Sequence, residues 1–331
     1  MKVFFKSSLG WLCAGLALLV AYNVWHNPDF IKITLRDGHL YGVPVDIFTQ
    51  GSRTMLLALG MTLVIATGGV DLSVGSVVAI AGAVCALLLN AGHGLVVTIT
   101  AALGVGALAG VVNGVLVARL ALQPIVATLI LMVAGRGIAQ LICDGQVIVI
   151  ANRNFDFLAN GFMAGIPVAP LLVVGLFLAT NVFVRRTAAG LFVEAVGDNE
   201  TASRFAGLAA ARVKGLAYVF CGACAGLAGV LWAANIRAAD ANRAGENAEL
   251  DAIFAVVVGG TALTGGRFSI LGSFLGALLI QTLATTMYYR GVPPAVAPVP
   301  KALVIILVSL LQSEKVRHWA AGLGWSRKAA A

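Results

Sequence analysis

The chain has 331 residues, of which 60% are hydrophobic and 11% charged, and its formal net charge is +8. Soluble proteins carry about 25% charged residues, so this composition excludes an ordinary soluble globular protein. The positive charge would suit a nucleic-acid partner, but the cations lie between apolar runs. We therefore predict an all-α polytopic membrane protein that has contact with lipid and no nucleic-acid partner.

Apolar runs long enough to cross a bilayer recur along the chain, and some shorter runs adjoin breaks. They predict about ten transmembrane helices within a single integral membrane domain over residues 1–331. The predicted spans are 9–25, 53–67, 74–91, 95–117, 124–142, 169–184, 214–235, 252–264, 269–288 and 297–312.

The charges of the connecting segments predict the orientation. Lys and Arg are more frequent in the segments on the side of Lys2 and Lys6, whereas Asp and Glu are more frequent on the other side. The positive-inside rule then places both termini in the cytoplasm, with a cytoplasmic loop over 185–213 and a cytoplasmic tail over 313–331. No small-residue cleavage site follows Val20, so the first helix is expected to remain uncleaved.

One acidic residue, Asp71, lies between Arg53 and Arg119, within a glycine-bracketed string over 67–75. An unpaired carboxylate at the centre of a bilayer costs at least about 2.5 kcal/mol, so the string predicts a break between two spans. Asp71 either caps the following helix, with Ser73 as an alternative, or pins the break against the cytoplasmic loop or a partner. The residues that define this break are Gly68, Gly69, Asp71, Ser73 and Gly75.

A second region, over residues 259–273, also combines Gly-Gly with a hydroxyl-rich turn and a following small-residue helix. Interrupted helices in both halves of a chain are typical of transporters built from internal repeats. The similarity leaves open whether the two regions form a true repeat and what its symmetry is.

Polar side chains inside predicted spans are candidates for a translocation path, because they are costly unless they face a cavity or a partner. Arg136 lies about 12 residues into its span, roughly 18 Å along the helix, and Gln140 follows one turn later. Arg136 could instead snorkel or bind a buried carbonyl, and Asn113 could form an interhelical hydrogen bond beside Gly110 and Gly114. The candidates are Asn113, Arg136, Gln140 and Gln281.

Two further segments have open alternatives. Residues 236–251 are predicted outside, where their alternating charges either meet a binding protein or form a solvated loop. Cys221 and Cys224 have a redox or half-zinc spacing, but no second pair completes it, so no metal site is predicted.

The cytoplasmic loop contains the signals of a short helix. Asp198 or Asn199 can cap a helix whose first turn contains Glu200, and Gly207 can end it after about two turns. Such a helix would either dock in a partner's groove or lie on the bilayer surface.

The spacing of Gly190, Ala195, Gly197, Asn199, Ala202 and Gly207 resembles the coupling loop of permease subunits from ribose/galactose-type sugar ABC importers. The string over 67–75 and the stretch over 258–272 resemble signatures of the same family, and the resemblance covers about residues 40–312. Segments 37–42, 128–137 and 239–242 are most similar to permeases of galactofuranose importers.

The resemblance implies a type II-like permease of the bacterial inner membrane that pairs with a second permease subunit, identical or paralogous. Partner ATPase subunits would bind ATP and Mg, a periplasmic sugar-binding protein would dock outside, and this chain would hold no cofactor. The coupling residues it implies within 190–208 are Gly190, Glu194, Ala195, Gly197, Asp198, Asn199, Ala202, Arg204 and Gly207.

The predicted function is therefore the membrane subunit of an ATP-driven importer for galactofuranose or a related aldose. The chain contains no Gly-Lys dipeptide, so it lacks the phosphate-binding loop of an ATPase and is not predicted to be an enzyme. The alternative is an ion-coupled secondary transporter for a small polar solute, for which Asp71 is the candidate buried carboxylate. An intramembrane enzyme is disfavoured because all four histidines lie in predicted loops or helix ends.

Overall fold

The computed structural model describes residues 8–293, 296 and 298–312, and the predicted tail over 313–331 lies outside the described residues. The first seven helices are α1 (Ser8–His26), α2 (Val43–Ala66), α3 (Val74–Asn90), α4 (Leu95–Gly114), α5 (Pro124–Ile142), α6 (Arg153–Asn160) and α7 (Val168–Arg186). The next six are α8 (Ala188–Asp198), α9 (Glu200–Phe205), α10 (Ala210–Ile236), α11 (Ala248–Val258), α12 (Ile270–Tyr289) and α13 (Pro298–Gln312). A 3₁₀ turn covers Pro28–Ile31, and a π-helical turn over Val115–Arg119 continues α4.

Each predicted span coincides with one of these helices, although not all of them are long enough to span a bilayer by themselves. Within the described residues, six helices are long and apolar enough to cross a membrane, judged by length and composition. They are α1, α4 with its π-helical turn, α5, α7, α10 and α12. Helix α3 is also apolar but has only 17 residues. The chain is thus a multi-pass membrane protein.

The start of α2 differs from the prediction, since the helix begins at Val43 rather than at Arg53. Pro44 lies in the first turn, where a missing N–H leaves no hydrogen bond unmade, so it starts this helix instead of breaking the chain. Arg53 is accommodated inside α2 because its guanidinium lies 4.6 Å from the ring centroid of Trp232. It also donates a hydrogen bond of 3.4 Å to Asn235.

The end of α11 differs as well. The helix ends at Val258, whereas the span was predicted to continue to Thr264. Gly260 then adopts a φ of +92°, which suits glycine and turns the chain back towards α12. The two sides of this turn touch through their backbones, since a Cβ on Gly259 would lie 2.5 Å from the carbonyl carbon of Gly272.

Helix α10 is the centre of the fold and packs against α2, α3 and α4. Small residues allow this close approach: a Cβ on Gly222 would overlap the carbonyl oxygen of Gly106, and one on Gly226 would lie 2.6 Å from that of Ala102. Such contacts are typical of helix packing in membranes. The main hydrophobic core fills the space between α2, α10, α11 and α12.

Three two-stranded antiparallel sheets join the segments predicted to lie outside. They are β1 (Thr34–Arg36) with β2 (His39–Tyr41), β3 (Ile148–Val149) with β6 (Ala238–Ala239), and β4 (Phe162–Met163) with β5 (Ile166–Pro167). In the second sheet Ile148 is opposite Ala239, so the segment after α5 is tied to the segment after α10.

Candidate functional site

The loop over 185–213, which the sequence predicts to be cytoplasmic, contains two helices, α8 and α9, where the sequence predicted one. Asn199 caps α9 by accepting a hydrogen bond of 2.9 Å from the backbone N–H of Ala202, which confirms that predicted cap. Gly207, with a φ of +84°, follows the end of α9, as predicted. Helix α8 was missed because its sequence is short, mostly apolar and poor in helix-terminal signals. Its only start signal is Thr187, which accepts a hydrogen bond from Ala189.

The two short helices are held to each other and to α10. The hydroxyl of Ser203 on α9 donates a hydrogen bond of 2.8 Å to the carbonyl of Ala195 on α8. The carboxylate of Glu200 binds both Arg204 on its own helix and Lys214 on α10. Partial burial raises the pKa of Glu200, but the hydrogen bonds and charges of Lys214 and Arg204 outweigh it and hold that pKa below its ordinary value.

Gly197, in the last turn of α8, lies where both glycine breaks meet. A Cβ on Gly197 would overlap the carbonyl oxygen of Ala66, at the end of α2, and would lie 2.5 Å from the backbone nitrogen of Gly266. Gly266 itself donates a hydrogen bond of 2.9 Å to Ala66. A Cβ on Gly265 would lie 2.8 Å from the oxygen of Gly197 and 2.9 Å from the nitrogen of Gly68.

We call Ala66, Gly68, Gly197, Gly265 and Gly266 the glycine junction. It brings the end of α2, the second break and the end of α8 into direct backbone contact, without an intervening side chain. Any displacement of α8 must therefore be transmitted to both breaks, because protein interiors are packed without free space at such contacts.

The other predicted coupling residues lie on the surface of α8 and α9 or at the ends of these helices. Gly190 packs against the end of α7, where a Cβ would lie 2.9 Å from a methyl group of Val184. Glu194 is half-buried, and the exposed members are Ala195, Asp198, Asn199, Ala202, Arg204 and Gly207. Two large apolar side chains, Leu191 and Phe205, are 68% and 89% exposed on the same helices.

Inside the first break, Asp71 is fully buried, and one of its two carboxylate oxygens accepts three hydrogen bonds. Its Oδ1 accepts hydrogen bonds from the backbone N–H of Ser73 at 2.9 Å, from the hydroxyl of Ser73 at 2.6 Å and from the amide of Asn113 at 3.2 Å. Asp71 thus closes a turn just before α3, and neither it nor Ser73 caps the interior amides of that helix. The contact from Asn113 supports the interhelical alternative for that residue.

Two more side chains hold the first break through backbone groups. The hydroxyl of Tyr218 on α10 donates a hydrogen bond of 3.2 Å to the carbonyl of Val70. Thr128 on α5 accepts one of 3.1 Å from the backbone N–H of Leu72. Gly69 leaves room for the tyrosine, since a Cβ there would lie 2.6 Å from its hydroxyl oxygen. Side chains from α4, α5 and α10 therefore converge on this break.

Residues 240–247 form turns that run back between the helices, contrary to the prediction of an outside loop. Arg136 on α5 donates hydrogen bonds to the carbonyls of Ala241 at 3.0 Å and Ala244 at 2.6 Å. Gly245 touches Gly75 at the start of α3. Gly75 precedes Asn90, the last residue of α3, by 15 residues. The contact therefore lies about 22 Å from that end of the helix, measured along its axis.

We call residues 240–247 the re-entrant segment. Its buried members are small and apolar, namely Ala241, Ala244 and Gly245, whereas Asn242, Arg243, Glu246 and Asn247 are exposed. Non-helical backbone at this depth is tolerated only inside protein or beside a water-filled cavity, and exposed charges cannot face lipid. The alternation of small and polar residues was the sequence signal for this segment, which the prediction of an outside loop missed.

The remaining path candidates fall in different places. Arg136 binds buried carbonyls, one of the alternatives considered for it, and in doing so holds the re-entrant segment in place. Gln140 is exposed and donates a hydrogen bond of 2.7 Å to Asn242, so it belongs to the same polar surface. Gln281 on α12 is half-buried, and its stem packs beside Gly51 of α2. Within the described residues, no cluster of three or more His, Cys, Asp or Glu side chains is arranged to hold a metal ion.

Comparison with known proteins identifies related chains over almost the whole length. The family model described as the branched-chain amino acid transport system permease component matches residues 43–309. The galactofuranose transporter permease protein YtfT of Escherichia coli K12 is 48% identical over 91% of this chain and 88% of its own length. The fructose import permease protein FruF of Bifidobacterium longum is 37% identical over 98% and 92%.

The ribose import permease protein RbsC of Escherichia coli K12 is 38% identical over 91% of this chain and 92% of its own length. No solved structure matches the chain. The breaks, the glycine junction, the re-entrant segment and most of the helical core all lie within the region that the family model covers. The chain therefore belongs to this family of transport-system permease components, and it is a transport subunit rather than an ATPase.

Proposed function

We propose that this chain is the membrane-spanning permease subunit of an ATP-driven importer for a monosaccharide, galactofuranose or a related aldose. The names of the three relatives support a sugar, and the 48% identity to the galactofuranose permease supports that choice among sugars. We further propose that residues 1–331 form one integral domain of a type II-like permease in the bacterial inner membrane. Both termini would then lie in the cytoplasm.

The observation that carries this proposal is the contact of Gly197 with both breaks at the glycine junction. In an ABC importer the ATPase subunits supply the energy, so the permease needs a cytoplasmic element that moves its membrane helices. The contacts of α8 support this role for α8 and α9, because α8 touches the end of α2 and the turn before α12 without a flexible side chain in between.

The exposed surface of α8 and α9 suits a groove in an ATPase subunit. Leu191 and Phe205 supply apolar anchors, and large apolar side chains in a partner's pocket carry much of the energy of an interface. Arg204 and Asp198 would lie at the rim, where charges contribute more to orientation than to affinity. The alternative of a helix lying on the bilayer is less favourable, because Glu200 ties α9 to Lys214 on α10.

The polar surface formed by Gln140 and the re-entrant segment is the best candidate for the translocation path. A sugar crosses the membrane through groups that replace its hydrogen bonds to water, and Asn242, Glu246 and Asn247 provide donors and acceptors at membrane depth. Because one side of this surface is open, a second permease subunit, identical or paralogous, would close it. Arg136 is then a positioning residue that holds the backbone of the path.

A sugar-binding protein would deliver the substrate on the outer side, where β3 pairs with β6 next to the re-entrant segment. An ion-coupled transporter is disfavoured because Asp71, its candidate coupling carboxylate, is committed to Ser73 and Asn113 in the break. It is also disfavoured because the relatives are named as import permeases.

Reconstitution tests the coupling. The permease is placed in liposomes with its ATPase subunits and sugar-binding protein, and ATP-dependent uptake of galactofuranose is measured. Gly197→Ala should reduce uptake at least tenfold while the complex still assembles and hydrolyses ATP, because the new Cβ overlaps Ala66 and must shift α8. Gly175→Ala is the matched control, since no heavy atom lies within 4 Å of its added Cβ.

Glu194→Arg gives a second test that leaves the glycine junction unchanged, and it should also uncouple hydrolysis from uptake. Normal uptake in both variants would refute the coupling role of α8. Uptake by the wild-type chain without ATP or partner subunits would instead establish the secondary transporter.

Thiol labelling tests the path. Asn242→Cys and Glu246→Cys should react with a water-soluble, membrane-impermeant reagent, and the rate should change when ATP is added. Ala244→Cys is the control, because that position is buried under Arg136. Labelling of the first two positions only by a lipid-soluble reagent would show that the surface faces lipid.

A further inference from the structure

A groove between the end of α4 and the start of α10 lies apart from the coupling and path surfaces. It has a volume of about 360 Å³, within the usual range for ligand sites. Its walls are apolar and include Val111 and Val115 from the α4 side with Leu216 and Val219 from α10. Leu216 is 69% exposed and Val111 44%, so the groove is open to the surface of the protein along two membrane-competent helices, α4 and α10.

Two guanidinium groups lie at this groove, Arg119 from the π-helical turn and Arg212 from the first turn of α10. Both residues are exposed, and among the described residues neither has a carboxylate within 4 Å. By contrast, the nearby Lys214 is occupied by Glu200. The two arginines therefore leave unneutralised positive charge at the end of the spans, where lipid headgroups lie.

The backbone is also unusual at this point. The N–H of Leu120 bonds to the carbonyl of Val115, five residues earlier, and that of Leu122 bonds to Leu116. π-Helical turns are rare, and they frequently occur at functional sites. Here the turn ends at Arg119 itself.

We propose that this groove binds an anionic phospholipid, with the phosphate between Arg119 and Arg212 and one acyl chain along Val115 and Leu216. Guanidinium groups bind phosphate oxygens in a bidentate manner. Basic pockets between membrane helices are a known setting for anionic headgroups. The apolar walls favour a lipid over free phosphate, which would gain nothing from them.

Native mass spectrometry of the assembled importer tests the site. The complex is stripped of lipid in detergent and titrated with phosphatidylglycerol, phosphatidylcholine or inorganic phosphate. Wild type should retain phosphatidylglycerol preferentially, and Arg119→Gln with Arg212→Gln should weaken retention at least tenfold, since each cation contributes roughly fivefold near an anionic surface. The matched control, Arg186→Gln with Arg267→Gln, removes two exposed cations outside the groove and should retain the lipid.

A variant that keeps both charges tests the acyl chain separately. Gly215 lines the groove, and no heavy atom lies within 4 Å of a Cβ added to it, so Gly215→Leu should extend into the groove and displace the lipid. Size-exclusion chromatography verifies that each variant still assembles.

The proposal would be overturned by equal loss in the control pair, by equal retention of phosphatidylcholine, by displacement of the lipid by inorganic phosphate, or by unchanged retention in Gly215→Leu. Absence of bound lipid in the wild-type complex would also overturn it and would indicate that another subunit covers the groove.

Discussion

After α2 the chain turns at Gly68 and Gly69, and after α11 it turns at Gly259 and Gly260, yet different contacts hold the two turns. The first break is surrounded by polar side chains from other elements, with Asn113, Thr128 and Tyr218 bound to it. The second is held through backbone groups: Gly259 meets Gly272 within its own hairpin, and Gly266 donates a hydrogen bond to Ala66 at the glycine junction.

This difference has a mechanical consequence. Buried hydrogen bonds in a low-dielectric interior are costly to break, because each separated donor stays unpaired. The second break is held by glycine packing and by backbone hydrogen bonds such as that from Gly266 to Ala66, so a shift with α8 breaks fewer side-chain hydrogen bonds. Since α8 touches both breaks, we infer that the first break is the fixed anchor and that the second takes up most of the movement of α8.

The largest expected effect is on the first break, from Asp71→Leu. The change leaves the backbone N–H and the hydroxyl of Ser73 without their acceptor, whereas the amide of Asn113 keeps its hydrogen bond of 2.9 Å to the Ser73 hydroxyl oxygen. At about 1–3 kcal/mol for each buried unpaired group, the free energy of unfolding should fall by about 2 kcal/mol or more. The midpoint of thermal unfolding in detergent, followed by size-exclusion chromatography, measures this loss.

Asp71→Asn is the matched control, because it keeps an acceptor oxygen in nearly the same shape. It should lower the unfolding midpoint much less than Asp71→Leu. If the two variants were equally stable, the hydrogen bonds of the first break would not be what anchors it.

The second expected effect is steric and falls on the second break. Gly272→Ala places a Cβ against the carbonyl oxygen of Gly259, and overpacking of this kind costs about 1–3 kcal/mol. The unfolding midpoint should fall, whereas Gly175→Ala, in an open part of α7, should raise stability by about 0.5–1 kcal/mol through helix propensity. If Gly272→Ala left the unfolding midpoint unchanged, the hairpin would open freely at this contact.

Much of this architecture could be predicted from the sequence. Each predicted span, read from its apolar run, contains a helix. Asn199 and Gly207 marked the two ends of α9 because helix capping depends only on residues that are close in sequence. Arg53 misled the prediction of α2, since a charge beside an apolar run is typical of the end of a span. Its partner Trp232 is distant in sequence and could not be identified from the local pattern.

The site was less predictable for the same reason. The break around Asp71 was found from its isolated charge, but the partners of that charge come from α4 and from the turn itself. The glycine junction joins three segments that are far apart in sequence, and contacts between backbones leave no pattern of side chains to read. The re-entrant segment carried charges, which suggested solvent until the contacts of Arg136 and Gly75 revealed its depth.

A smaller effect is expected from Ser269→Ala. Ser269 caps α12 by accepting a hydrogen bond of 3.0 Å from the backbone N–H of Gly272, and loss of such a cap costs about 1 kcal/mol. Hydrogen exchange should show faster opening of the first turn of α12, with no change in the first break. Equal changes in both breaks would contradict their separate support and favour one cooperative unit.

The smallest effect concerns the link between α9 and the first break. Glu200 on α9 binds Lys214 on α10, the helix whose Tyr218 holds the first break, and within the described residues no ion pair ties α9 to the second. Partly exposed pairs of this kind contribute about 0.2–1 kcal/mol. Because hydrogen bonds and charge hold the folded-state pKa of Glu200 below its ordinary value, the contribution is complete above the ordinary glutamate pKa of about 4.3. It is lost as the pH falls through the lowered pKa.

A fluorophore on Thr201→Cys, an exposed position on α9, should therefore gain mobility as the pH is lowered through this range. In Glu200→Gln the label should be mobile at every pH, because the neutral amide cannot form the ion pair. An identical pH profile in both proteins would assign the change to another group. A pH profile that appears only with Glu200 present would establish that the ion pair ties α9 to α10, the helix that holds the first break. A partner that displaces α9 would then act first on the first break, and Gly197 would transmit the displacement to the second break.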